Sequence, residues 1–116
     1  MELVVRAFPV LAGQEARLNE FANAVEGARA SEAEDFFRRM GVARESWFRQ
    51  QTDAGQTWVI IVTQISGSAT AEDFRGSQDA FDRWFKEQVK LISGVDPEKQ
   101  PLGPPTTCIF DTARKV

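Results

Sequence analysis

The sequence of 116 residues contains no histidine and only one cysteine. Without histidine, the chain lacks the commonest general base, the usual haem ligand and the group that most often activates a serine or cysteine nucleophile. A single cysteine excludes a disulfide within the chain, and zinc would have to depend on carboxylates, whose spacing matches no known metal motif. We therefore predict no metal site and no cofactor, and we assign no catalytic residue.

A basic patch, a long apolar run and a glycine-rich loop are also missing. The net charge is −3 and the basic residues are scattered, so no positive stripe could neutralise a phosphate backbone. The apolar runs are far shorter than the roughly 18 residues of a membrane span, and the start Met1-Glu2 does not resemble a secretory signal. The glycines occur as turn signals and not as a phosphate-binding fingerprint. We predict a cytoplasmic protein that binds neither nucleic acid nor membrane.

The most strongly patterned stretch is residues 44–66, which predicts two strands joined by a turn at 53–56. Large and polar residues alternate in the first arm, so that Trp47, Arg49 and Gln51 share one side. The second arm contains the continuous apolar run 58–62 (WVIIV), which is typical of a strand buried on both faces. The sheet that contains this hairpin therefore needs cover on both sides.

Further elements are predicted on both sides of the hairpin. They are a strand at 2–10, helices at 14–26, 31–40 and 78–93, and a last strand at 106–112. Ser31 and Glu34 form a capping box for the second helix. A short helical turn through Phe74 would be capped by Ser68 or Thr70. Spacing of the apolar residues supports each helix, and β-branched or aromatic residues support each strand.

This order of elements is that of a ferredoxin-like α+β fold, β-α-β-β-α-β, with a four-stranded antiparallel sheet and residues 1–116 in one domain. In that topology the first and third strands lie at the centre of the sheet. Right-handed crossovers place the helices on one face and leave the other face uncovered. Because an uncovered apolar face is typical of an association surface, we predict a homodimer that packs sheet against sheet.

Residues 45–48 (ESWF), Gly55 with Trp58, and residues 77–85 with their aromatic positions resemble the dimeric α+β barrel superfamily. That group includes antibiotic-biosynthesis monooxygenase-like domains and several families of small bacterial proteins without an assigned activity, and one of these uncharacterised families fits best. The resemblance covers nearly the whole chain. It implies a dimer whose paired sheets form a barrel, with a pocket in each subunit between helices and sheet. Haem-degrading members use a histidine that this chain lacks, and no catalytic residue is carried over.

Three side chains are candidates for ligand binding, namely Arg6, Trp47 and Arg49. Arg6 interrupts an apolar strand, and its guanidinium must reach solvent, an acid such as Asp111, or an anionic ligand. Trp47 and Arg49 could offer an aromatic plane and a cation to a planar acidic molecule, and packing or the dimer interface is the alternative for Trp47. Cys108, inside the last strand, is expected to be buried and unreactive.

These observations favour a small homodimeric protein that binds a small aromatic or acidic metabolite between helices and sheet. One alternative is a cofactor-independent monooxygenase or isomerase, and another is an assembly domain whose sheet face docks a second protein. The enzyme alternative requires a closed, polar-lined pocket. A gap between helices and sheet that is filled solidly by Phe21, Phe81 and Phe85 would exclude it.

Overall fold

The computed structural model describes residues 2–66 and 71–113. In this part the chain forms an α+β fold of three strands and four helices. They are β1 (Glu2–Pro9), α1 (Glu15–Glu26), α2 (Ala30–Arg39), β2 (Val42–Gln51), β3 (Thr57–Ile65), α3 (Ala71–Gly76) and α4 (Ala80–Ser93). These elements confirm the predicted order as far as residue 93. No helix of the described residues is long and apolar enough to cross a membrane.

The three strands form one antiparallel sheet in the order β1-β3-β2. The register aligns residues into rows across the sheet, for example Arg6, Ile61 and Trp47. The next row, Ala7, Ile60 and Phe48, points to the opposite face because successive side chains alternate. The predicted hairpin is therefore present, and its second arm is the central strand.

The hairpin turn is closed by backbone hydrogen bonds between its two ends. Thr52 N donates to Gln56 O over 2.8 Å, and Gly55 N donates to Thr52 O over 2.9 Å. Gly55 has a φ of +83°, a conformation that glycine adopts without the clash a side chain would cause. The glycine in this turn thus fixes where β2 ends and β3 begins.

The predicted fourth strand is wrong, because residues 106–111 form no regular element. The segment still runs beside the outer edge of β1, where the hydroxyl of Thr106 donates to Val5 O over 2.7 Å. Pro104 and Pro105 have no amide hydrogen to donate to that edge. Consequently β1 is an edge strand of the described sheet and not a central one, and Cys108 is exposed instead of buried.

The predicted capping box of α2 is also wrong, since α2 begins at Ala30 and has no side-chain cap. The backbone amides at the start of α2 donate instead to carbonyl oxygens at the end of α1 and just after it. Arg29 N donates to Ala24 O over 2.8 Å, and Ala30 N donates to Gly27 O over 3.1 Å. Because backbone carbonyls satisfy these amides, no serine cap is required. The cap predicted at Ser68 or Thr70 lies outside the described residues.

The core lies between the helices and one face of the sheet. Its buried side chains are Phe8, Val10, Leu18, Phe21, Ala33, Phe36, Val59, Phe81, Phe85, Val89 and Ile92. The opposite face, which we call the open sheet face, carries Leu3, Val5, Phe48, Trp58, Ile60 and Val62 by strand alternation. Leu3 is 47% exposed and Phe48 is 54% exposed. The uncovered apolar face expected from the sequence is therefore present in this chain.

A polar cluster joins α2, α4 and the segment between α3 and α4. The side chain of Asp82 is fully buried and accepts two hydrogen bonds of 2.9 Å from Arg39 and one from the hydroxyl of Ser77. Lys86, also buried, donates to the carbonyl oxygens of Arg75 and Ser77 and pairs with Glu98 at 3.0 Å. We refer to Arg39, Ser77, Asp82 and Lys86 as the Asp82 cluster.

Candidate ligand-binding site

A cavity of about 500 Å³ lies between the helices and the sheet. The strands contribute Val4, Arg6, Phe8, Val42, Glu45, Trp47, Val59, Ile61 and Ile65 to its lining. The helices contribute Leu18, Phe21, Phe36, Phe37, Phe74, Arg75, Phe85, Val89 and Ile92. Met40, which follows α2, and the link after α4 with Pro97, Gln100, Pro101 and Leu102 complete the lining. The gap is therefore not filled solidly by aromatic side chains, and a pocket exists where a ligand would require it.

The aromatic part of this lining is a connected cluster. The ring of Phe21 lies 5.0 Å from the rings of Trp47 and Phe85, and Phe36 lies 4.7 Å from Phe85. Such contacts hold the rings in fixed relative positions. Phe81 belongs to the core but does not line the cavity. The wall of the cavity is thus preformed and mainly apolar.

Arg6 is half-buried and lines the cavity. Its guanidinium forms no ion pair or hydrogen bond with any side chain of the described residues. Asp111, one of the partners expected for Arg6 from the sequence, instead accepts a hydrogen bond from Ala113 N. Arg75 from α3 also lines the cavity, and its side chain likewise has no ion-pair partner in the described part of the chain. Two cations therefore border an apolar cavity.

Glu45 enters the cavity from β2. One carboxylate oxygen accepts a hydrogen bond of 2.8 Å from Trp47 Nε1, and the other accepts one of 2.9 Å from the hydroxyl of Thr63. Burial among apolar groups raises the pKa of Glu45, and these two hydrogen bonds offset that effect only in part. No described cation forms an ion pair with the carboxylate. Glu45 is thus a carboxyl group that is more easily protonated than usual.

Trp47 and Arg49 share the helix-facing side of β2, as the alternation predicts. Trp47 combines two of the roles considered for it, because it packs on Phe21 and also lines the cavity. Arg49 is exposed, bonds to the side chain of Asn19 on α1 and is not part of the lining. Arg6 and Trp47 are therefore neighbours in one row at the cavity, while Arg49 lies outside it and its ligand role stays a prediction.

The sequence reasoning missed Glu45, Arg75 and Gln100 as lining residues. For Glu45 a signal was available, since it precedes Trp47 by two residues and must share its face of the strand. Arg75 and Gln100 lie on a six-residue helix and an irregular link, where no periodicity specifies which side chain faces the core. Among the residues that the structure describes, no group of three or more histidine, cysteine or acidic side chains could hold a metal ion.

Residues 1–115 match the model of a family of unknown function, DUF6176. The chain belongs to this family. No curated protein matches this DUF6176 chain in sequence. The prediction of an uncharacterised family with an α+β fold is confirmed by this match and by the structure.

A solved structure similar to the DUF6176 chain is that of an L-rhamnose mutarotase from Formosa agariphila. The two share 15% sequence identity with a TM-score of 0.66, and the similarity covers 97% of this chain and 99% of that chain. At this identity the likeness shows a common fold alone. It carries no statement about the substrate of the DUF6176 protein.

Proposed function

We propose that this DUF6176 protein binds a small, mainly apolar molecule with one acidic group, and that it does so as a homodimer. The observation that carries the proposal is the cavity of about 500 Å³ between helices and sheet, since a volume of that size suits a small ligand. Aromatic and aliphatic side chains supply most of the described lining. Burial of an apolar ligand body would therefore stabilise the complex.

The acidic group of the ligand is inferred from Arg6 and Arg75. An arginine remains charged at any physiological pH, and its planar N–H groups fit a carboxylate. Neither guanidinium forms an ion pair within the described chain, although both border the cavity. A ligand carboxylate would supply that counter-charge, and Trp47 would supply part of the aromatic wall.

An isomerase is the second candidate, and Glu45 favours it. A carboxyl group whose pKa is raised can take up and release a proton closer to neutral pH. The solved structure of similar fold is that of an L-rhamnose mutarotase, which is an isomerase. A sugar nevertheless suits this cavity poorly. Its many hydroxyl groups would need polar partners, and the described lining offers mainly Arg6, Glu45, Arg75 and Gln100.

Binding can be tested by fluorescence titration with anilinonaphthalene sulfonate, which has an apolar ring system and one anionic group. We expect saturable binding that weakens by about tenfold in Arg6→Ala, because an ion pair in a partly buried site is lost. Val4→Trp, which would fill the cavity from β1, should also abolish binding in a protein of unchanged circular dichroism. Arg49→Ala is the matched arginine control outside the lining, and weaker binding there would extend the site to α1.

The open sheet face requires a separate control, because it could also attract the probe. Phe48→Lys places a charge on that face, on the side of the sheet away from the cavity, and should leave the Kd of the saturable cavity site unchanged in the monomeric state expected of this variant. Binding that survives Val4→Trp but disappears in Phe48→Lys would contradict the proposed cavity site. A lack of binding with this probe and with a broad metabolite panel would favour the assembly function instead.

The homodimer is proposed from the open sheet face, where half-exposed Leu3 and Phe48 flank an apolar surface. Two copies related by a two-fold axis would cover each other's apolar surface. Light scattering at micromolar concentration should give twice the monomer mass of 13.0 kDa. Phe48→Lys should shift the protein to the monomer, while Asn23→Lys on the exposed surface of α1 should not. A monomeric wild type would contradict the dimer.

A further inference from the structure

Glu45 is the one acid in the described lining of the cavity. The side chains that touch its carboxyl group, Trp47 and Thr63, are both neutral, and both donate hydrogen bonds to it. Thr63 is the cross-strand neighbour of Glu45 and is buried. The carboxyl group of the partly buried Glu45 therefore has no counter-charge among its hydrogen-bond partners.

Charged groups surround Glu45 at longer range. Arg6 from β1 and Arg75 from α3 line the same cavity. A smaller, shallow cavity on the side of α2 is lined by Glu45 together with Glu34, Arg38 and Arg44. None of these described groups forms an ion pair with Glu45.

Protonation of Glu45 adds an O–H donor to the carboxyl group, and this donor needs an acceptor. A protonated carboxyl group has one O–H donor and can still accept hydrogen bonds at both oxygens. The indole N–H of Trp47 can only donate, whereas the hydroxyl of Thr63 can donate to or accept from a protonated Glu45. No other described side chain hydrogen-bonds to Glu45. The O–H group can therefore be accepted only by Thr63 or by an oxygen of a ligand in the cavity.

We propose that the uncharged carboxyl group of Glu45 donates a hydrogen bond to an oxygen of the ligand, so that Glu45 selects apolar molecules that carry a carbonyl, carboxylate or similar oxygen. This inference rests on the proposed ligand site and specifies what that site recognises. Ionisation of Glu45 removes the donor and places a negative charge in the cavity. An anionic ligand would then be repelled at the position where it was previously bound.

The register of the sheet shows how one molecule could meet both polar groups. Glu45 lies in the row of Thr63 and Val4, and Arg6 lies in the next helix-facing row with Ile61. Two strand spacings across the sheet and two residues along it separate the backbones of Arg6 and Glu45 by about 12 Å. Both residues line the cavity from these positions, so that one anionic group between their side chains could contact both.

The absence of histidine makes this proposal unusually accessible to a pH titration. In most proteins histidine dominates titration between about pH 5 and pH 8. This chain has no histidine that could titrate in that range. A pH-dependent affinity that disappears on substitution of Glu45 can therefore be assigned to it.

The experiment compares two probes that differ in one group. Anilinonaphthalene sulfonate remains anionic from about pH 5 to about pH 8, and phenylnaphthylamine has the same ring system without the sulfonate and remains neutral. For the wild type, the Kd of the sulfonate probe should rise by about tenfold as the pH increases through the folded-state pKa of Glu45, because a like charge appears in the cavity. The Kd of phenylnaphthylamine should change less than about twofold.

Two variants distinguish the effect of the hydrogen-bond donor of Glu45 from the effect of its negative charge. Glu45→Gln keeps an N–H donor and has no titratable group, so it should bind the sulfonate probe at all pH values nearly as the wild type does at low pH. Glu45→Leu removes the donor and should weaken the sulfonate probe by about fivefold at low pH while leaving phenylnaphthylamine unchanged. Circular dichroism identifies any variant that fails to fold, and Glu45→Gln alone still decides the pH dependence.

The inference is overturned if the sulfonate probe shows the same pH profile in wild type and Glu45→Gln, or if its Kd does not change with pH. Both outcomes leave the proposed cavity site intact as long as Val4→Trp still abolishes binding. If neither probe binds to the wild type at any pH, the proposed function and this inference fail together. If only phenylnaphthylamine binds, the apolar site is retained and the recognition of an anionic oxygen is wrong.

Discussion

The Asp82 cluster and the ligand cavity both contain ionisable side chains that are at least partly buried. The two regions differ in whether these side chains have partners of opposite charge. In the Asp82 cluster, Arg39 meets the buried carboxylate of Asp82 with two hydrogen bonds, and Lys86 is satisfied by two carbonyl oxygens and Glu98. In the cavity, Arg6 and Glu45 have no ion-pair partner among the described residues. This contrast indicates that incomplete pairing is a property of the cavity and not of the fold as a whole.

The pKa values of the two acids follow from the same contrast. Hydrogen bonds from Arg39 lower the pKa of Asp82, with a further contribution from Ser77, and they outweigh the effect of burial. The pKa of Glu45 is raised because burial is not balanced by a cation. One acid is thereby kept ionised as a structural link between helices, and the other is more easily protonated than an ordinary glutamate.

The largest effect is expected from breaking the Asp82 cluster. Asp82→Ala should lower the free energy of unfolding by about 3 kcal/mol, because it removes a fully buried carboxylate and leaves Arg39 without its bidentate partner. Urea denaturation measures this difference. Asp35→Ala is the matched control. Asp35 pairs with Arg39 at the half-exposed rim, and its loss should cost much less, because an exposed ion pair contributes little to stability. Equal effects of the two substitutions would contradict a structural role specific to Asp82.

A smaller effect on the free energy of unfolding is expected when the pH rises. Because the pKa of Glu45 is raised in the folded state, its contribution to stability is present below the ordinary glutamate pKa and is lost as the pH rises through the folded value. The wild type should therefore become less stable relative to Glu45→Gln as the pH rises from the ordinary glutamate pKa through the folded value.

Asp82 should show the opposite sign. Its pKa is lowered, so its contribution is present above the ordinary aspartate pKa and is lost as the pH falls through the folded value. Acidification should therefore destabilise the wild type more than Asp82→Asn. Urea denaturation at several pH values measures both differences. Parallel stability curves for the wild type and Glu45→Gln would show that burial does not perturb Glu45.

Much of the fold could be predicted from local patterns in the sequence. Strand alternation in β2 and the apolar run in β3 depend on neighbours along the chain, and so does the end of α4 at Gly94, which has a φ of 78°. The prediction of the fourth strand was wrong because the pattern of residues 106–112 describes that segment alone. It does not show whether a neighbouring strand edge can pair with it. A strand also needs amide donors opposite an available edge, and Pro104 and Pro105 precede residues that could have paired there.

The candidate site was predictable only where side-chain direction follows from the strand period. Arg6 and Trp47 were identified in this way, and Glu45 could have been identified by the same rule. The contribution of Arg75 depends on how α3 packs, and the unpaired state of Arg6 depends on where the C-terminal segment places Asp111. Both are long-range outcomes of packing, and neither is encoded by local spacing.

The smallest effect on stability is expected from substitution of Arg6. It tests directly whether the arginine at the cavity differs from the arginine in the Asp82 cluster. Arg6→Leu should change the free energy of unfolding by less than about 0.5 kcal/mol, because no described ion pair is lost and the new side chain faces an apolar wall. Arg39→Leu is the matched arginine substitution, and it should cost about 3 kcal/mol because it leaves the buried Asp82 without its cation.

The two arginines should also differ in binding, measured with anilinonaphthalene sulfonate. Arg6→Leu should weaken the probe by about tenfold in a protein of nearly wild-type stability. Such a result separates a residue kept for a ligand from one kept for the fold. A loss of stability at Arg6 similar to that at Arg39 would instead mean that Arg6 supports the sheet. Arg6 would then no longer be evidence for an acidic ligand, and the apolar lining alone would define what the cavity accepts.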